Sequence, residues 1–145
     1  MARSGYERPL ESFIDHALAD EWHDFANEAV TAFLNRRRGL VYVATNPVHV
    51  GLFKVGSTAF DIQTRLDSLC SAGVTGEFHE VASFIAFDRF GAETRAQAEM
   101  AKTASRHKEF FVSDYRSVVE VVGKCVRIDN ESITQAFPGI DIERV

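Results

Sequence analysis

Apolar positions along the chain change their period several times, and each change predicts an element. From residue 13 to 34, Phe13, Ile14, Ala17, Leu18, Trp22, Phe25, Ala26, Ala29, Val30, Phe33 and Leu34 recur in steps of three and four. That alternation draws one stripe down a helix. Pro9 suits its first turn, Arg36, Arg37 and Arg38 suit the negative end of its dipole, and Gly39 stops it. A helix over residues 11–38 would be roughly 40 Å long at about 1.5 Å per residue. A small domain is narrower, so the pattern predicts a break near Asp20 or pairing with another chain. Gly39–Thr45 is then β-branched and aromatic, a strand closed by the turn formers Asn46 and Pro47. Residues 51–56 predict a second strand in a hairpin with the first. Residues 61–70 predict a short helix with Ile62, Leu66 and Leu69 on one face, closing near Gly73. A third strand is expected over 78–87, an alanine-rich helix over 92–105 and a short apolar strand over 109–112. Asp114 can cap a helix through Val122, and 126–128 suggest a last strand. The sum is an α+β fold: a small, mainly antiparallel sheet flanked by helices. It has an N-terminal amphipathic helical extension (1–38), a domain (39–129) and a C-terminal tail (130–145).

Composition narrows the class. The 145 residues suit one domain, and twelve Phe with one Trp supply a real core. The formal charge is −5, the wrong sign for a sequence-blind nucleic-acid coat. Residues 39–129 carry ten basic and eleven acidic groups, so any phosphate site there must be local. The two cysteines, Cys70 and Cys125, form no disulfide framework and no zinc spacing; Cys70 reads as a small core residue. A signal-peptide run and a membrane-length apolar stretch are both absent from the sequence, so a cytoplasmic protein is the expectation.

The candidate chemistry lies in an ordered set of short motifs. Val41-Tyr42-Val43 is followed by Asn46-Pro47, by residues 51–58 with Lys54-Val55-Gly56, and by Arg65 four residues before Leu69. A Gly-Val segment from Gly73 to Phe78, Ala92-Glu93, and Glu109-Phe110-Phe111 complete the series. In this order and spacing the set resembles the GIY-YIG nuclease superfamily, in a branch of phage and bacterial open reading frames. The likeness covers about half the chain. It implies a metal-dependent endonuclease acting on DNA, with Mg²⁺ or another divalent cation, and Tyr42, Arg65 and a helical glutamate in the family's roles. Lys54 stands where the second tyrosine of the superfamily motif falls. Leu69 and Gln97 occupy positions where histidine is common.

The chemistry of the residues stands beside that resemblance. Phosphodiester cleavage needs an activated water, neutralised phosphate oxygens and help for the leaving oxygen. Tyr42 can relay the water's proton if a nearby cation lowers its pKa, and Lys54 faces it if the two strands pair in suitable register. Arg65 carries the fork for a phosphate. Glu93 can hold the metal; Glu99, also preceded by alanine in the same helix, is the alternative. Arg106, His107 and Lys108 form a basic run suited to phosphate contacts. Asn46 is a further nucleic-acid candidate, with turn formation its simpler role. Gly56 within a strand implies a bend or a close approach. Other readings compatible with the sequence are a nucleic-acid-binding module without cleavage and a protein-interaction module, including a homodimer through the N-terminal helix.

Overall fold

The computed structural model describes residues 16–59, 61–71 and 77–140, with the side chains of all but 16–23 and 70–71. The expectations for Pro9, Phe13, Ile14, Gly73 and the Cys70 side chain lie outside the described residues. Helix α1 (His16–Arg37) runs through Asp20 unbroken, so of the two expectations, a break there or pairing with another chain, the break does not occur. The physical reason is the absence of any Gly or Pro between His16 and Arg37. Among the described side chains of α1 only Leu34 is buried, while Phe25 and Phe33 are exposed. Among the described side chains, the apolar stripe thus seats the last turns of α1 on the domain.

Five strands follow: β1 (Gly39–Thr45), β2 (Leu52–Thr58), β3 (His79–Ala86), β4 (Ser105–His107) and β5 (Phe110–Val112). They form one sheet in the order β3-β1-β2-β5-β4, every pairing antiparallel. Helices α2 (Ile62–Ser71), α3 (Arg89–Met100) and α4 (Tyr115–Ala136) flank it. The α+β expectation holds. The main core joins one sheet face to α3 and α4 through Val41, Val43, Val55, Phe111, Met100, Val118 and Val122. Burying each such side chain is worth about 1.5–3 kcal/mol. The other face carries a smaller cluster of Tyr42, Ala44, Leu66 and Phe78 under α2. Among the described residues, no helix is long and apolar enough to cross a membrane.

Two elements differ from the sequence expectation. Residues 126–128 are not a strand: α4, capped by Asp114 as expected, continues through them to Ala136. Val118, Val122, Cys125 and Val126 are all buried, so the apolar run is the inner stripe of a helix. Residues 92–105 are not all helix either. The α3 helix starts at Arg89, where the Asp88 side chain accepts from the Gly91 amide, and stops at Met100. Ser105 then begins β4, which pairs with β5 through a two-residue turn.

Candidate functional site

Strand register decides which side chains share a face. Tyr42 stands opposite Gly56 and Ala44 opposite Lys54, so Tyr42 and Lys54 both point toward α2. A Cβ on Gly56 would lie 2.6 Å from Tyr42 Oη and 2.7 Å from its Cζ. The phenol therefore lies across bare backbone, the close approach expected at this glycine. Arg65 on α2 reaches the same point, its Nε donating to Tyr42 Oη at 3.4 Å. Asp61 anchors the start of α2 by accepting from the amide and hydroxyl of Thr64, and these bonds hold its carboxyl below the usual range.

Electrostatics at the tyrosine run opposite to the sequence expectation. Tyr42 is fully buried. Burial pushes its phenol above the ordinary value, the Arg65 hydrogen bond and charge pull it back, and the Glu93 charge raises it further. The cation on the hydroxyl is thus Arg65 rather than Lys54. Lys54 is itself buried, and its Nζ donates to Glu109 Oε2 and lies 5.5 Å from the centre of the Phe110 ring. Burial, reinforced by the Arg65 charge and opposed by Glu93, lowers its pKa to about 8. The contact with Glu109 also opposes that fall, because a carboxylate beside an ammonium favours its charged form.

The glutamate enters at an opening in the sheet. β5 pairs with β2 only across Leu52, Phe53 and Lys54, so the edge of β2 beyond them is not covered by a strand. α3 lies alongside that edge. Gln97 Nε2 donates to the Val55 carbonyl at 2.9 Å and to Glu93 Oε2 at 3.0 Å, and Ser57 Oγ donates to Glu93 Oε1 at 2.5 Å. Arg106 Nη2 in turn donates to Gln97 Oε1 at 3.2 Å. Tyr42, Lys54, Arg65 and Glu93 are therefore gathered around Gly56. Glu99 is not: it pairs with Lys102 at 2.9 Å and lines a cleft toward α4 with Lys124 and Cys125.

The remaining candidates are dispersed. Arg106 is exposed on β4, 5.4 Å over the Phe111 ring, while His107 and Lys108 are exposed at the β4–β5 turn. Asn46 is buried, and its Oδ1 accepts from the Val48 amide at 3.0 Å. That is the turn-forming arrangement. Ser57, Gln97 and Glu109 make contacts that the sequence did not assign to them. Helical i,i+4 spacing from Glu93 was a usable signal for Gln97. Nothing in the sequence marks the partners of Ser57 or Glu109.

Metal chemistry has one fitting donor. Among the described residues no group of three or more His, Cys, Asp or Glu is gathered to hold an ion by itself. Glu93, however, receives its hydrogen bonds from two neutral donors and meets no cationic side chain within ion-pair distance among the described residues. Mg²⁺ is often held by one or two carboxylates plus water and phosphate, so a lone oriented carboxylate fits it.

A short antiparallel sheet flanked by helices is the class of domain that the sequence pattern implied. The T5orf172 domain family matches residues 39–127, and the chain belongs to that family. The family is associated with the GIY-YIG nuclease superfamily. No curated protein and no solved structure matches the chain.

Proposed function

We propose that the protein is a metal-dependent endonuclease that hydrolyses DNA phosphodiester bonds at the Gly56 site. The observation that carries the reading is the Arg65–Tyr42 hydrogen bond laid over Gly56, with the Glu93 charge close enough to act on both Tyr42 and Lys54. Arg65 binds a non-bridging phosphate oxygen and holds the tyrosine hydroxyl in place. Tyr42 takes the proton of the attacking water as its own phenolic proton passes to the unprotonated amine of Lys54 on the same sheet face. Lys54, with a pKa of about 8, accepts that proton in its unprotonated form, whose share grows as pH rises through about 8. Glu93, held by Ser57 and Gln97, would hold Mg²⁺, which when bound supplies Lewis-acid stabilisation of the leaving oxygen. Arg106, His107 and Lys108 contact the backbone beyond it.

The test is nicking of supercoiled DNA with and without Mg²⁺. Tyr42→Phe and Arg65→Ala are each expected to lower the rate about 10²–10⁴-fold. Cleavage at the parental rate by both variants would falsify the proposal. A second reading, a binding module without cleavage, is favoured by the complete burial of Tyr42. Salt-sensitive binding with no nicking under any divalent ion establishes that alternative.

A further inference from the structure

The junction between α1 and α3 carries an exposed stack of alternating rings and guanidinium groups. Arg37 lies 5.0 Å from the centre of Phe33 on one side and 4.9 Å from Phe90 on the other. Arg89 lies 4.3 Å from Phe90. Phe33 and Phe90 are 44% and 45% exposed, far more than an inward clamp between two helices needs. Arg89 Nη1 donates to the carbonyls of Arg36 at 2.9 Å and Arg38 at 3.1 Å, which ties the end of α1 to α3. Arg37 Nε also donates to Asp88 at 2.8 Å. Arg37, Arg38 and Arg89 each lie against a phenylalanine ring here, and Arg37 is paired with Asp88, in a chain whose net charge is −5.

The stack is continuous with the Gly56 site. A Cβ on Gly39 would lie 2.7 Å from Arg89 Cδ and 2.4 Å from the Thr58 carbonyl oxygen, so Arg89 passes beside the residue that follows Ser57. Arg89, Glu93 and Gln97 succeed one another at four-residue steps on one side of α3, with Arg106 bonded to Gln97 at the far end. The distance from Arg89 to Gln97 is about 12 Å at about 1.5 Å per residue. At roughly 3.4 Å of rise per nucleotide that spans three to four phosphates of one strand. Glu93 stands between two basic ends.

We propose that the Phe33–Arg37–Phe90–Arg89 stack, with Arg36 and Arg38, grips the phosphate backbone of the nucleic-acid strand flanking the scissile phosphate. The inference rests on the nuclease reading, and it adds a binding surface largely outside the family match, since Phe33 and Arg36–Arg38 precede residue 39. The stack pre-organises arginines by holding them against rings, and rings and guanidinium planes also accept unpaired bases. Such contacts position the strand without reading its sequence.

The test uses the full chain carrying Tyr42→Phe, in EDTA, with fluorescein-labelled duplex DNA titrated at several KCl concentrations. R36Q/R38Q removes two charges and leaves the Arg37 and Arg89 contacts in place. It is expected to weaken binding about tenfold and to flatten the log Kd against log salt slope by about 1.8, roughly 0.9 per phosphate contact. R36K/R38K, which keeps the charge, is expected to retain the parental slope and so excludes misfolding as the cause. Parental binding by R36Q/R38Q, with weakened binding by Arg106→Ala, overturns the stack and leaves the nuclease reading standing. Absence of binding by every chain at low salt overturns both. A concentration-dependent dimer that R36Q/R38Q dissolves, with DNA binding unchanged, assigns the surface to a second copy and overturns the proposal.

Discussion

One missing methyl group decides where Tyr42 lies. Its phenol occupies the space that a Gly56 side chain would fill, and neither backbone nor ring can yield freely inside a sheet. Gly56→Ala is therefore expected to displace the Tyr42 hydroxyl from Arg65, with a stability loss of about 1–3 kcal/mol and a nicking loss near that of Tyr42→Phe. Thermal melts and nicking rates check this together; a G56A chain that cuts like the parent removes Tyr42 from the mechanism. Lys54 gives a pH signature. Its folded pKa of about 8 lies below the ordinary 10.5, so between these values the unfolded chain holds more protons and stability rises with pH. Tyr42 acts in the other sense: its folded pKa is raised, so the stability it lends is complete below 10 and is lost as pH climbs further. Melting temperature is thus expected to rise from pH 8 toward pH 10 and then to fall. Lys54→Met should abolish the rise; an unchanged profile in that variant sinks the assignment. Glu109→Gln removes a carboxylate that favours the ammonium, so the rising limb of the nicking rate, set by loss of the Lys54 proton, is expected to move to lower pH.

At the scale of the element, α3 organises the site, because Ser57 and Gln97 fix both oxygens of Glu93. Gln97→Leu leaves the helix intact and frees one oxygen. The Mg²⁺ concentration for half-maximal nicking is expected to rise about 10-fold or more, as for other lost partners of a metal-binding side chain. Equal Mg²⁺ dependence in parent and variant would separate Gln97 from the metal. The same helix shows what the sequence carried and what it hid. The first strands were legible because β-branched residues and the Asn46-Pro47 turn announce a hairpin, but only the strand pairing itself settles the register that puts Tyr42 and Lys54 on one face. β4 was hidden because its three residues are polar and exposed and its turn uses Lys108 at φ 58 in place of a glycine. The end of α4 was hidden because Val126 and Ile128 alternate like a strand over so short a window. Choosing Glu93 over Glu99 needed tertiary contacts: six residues apart, they leave α3 on different sides.

Across the whole molecule, charge and cohesion are distributed unequally. Neither core cluster includes a described residue of α1, while Leu34, the Arg37–Asp88 pair and the Arg89 bonds to the Arg36 and Arg38 carbonyls tie its end to the domain. A partly buried ion pair of this kind contributes on the order of 1 kcal/mol, and burial of one leucine about 1.5–3 kcal/mol. Residues 38–145 are therefore expected to fold alone, with a cooperative melt only a few degrees lower than that of the full chain. Deleting α1 also removes Phe33, Arg36 and Arg37, so the shorter chain should bind DNA more weakly with a shallower salt dependence. Its nicking at saturating DNA should stay close to parental, because Tyr42, Lys54, Arg65 and Glu93 all remain. Light scattering of both chains measures the other use of α1, since a full chain of twice the monomer mass beside a monomeric 38–145 assigns Phe25 and its stripe to self-association. Loss of cooperative unfolding in 38–145 would instead show that α1 is part of the domain's own fold, contrary to the packing of its last turns alone.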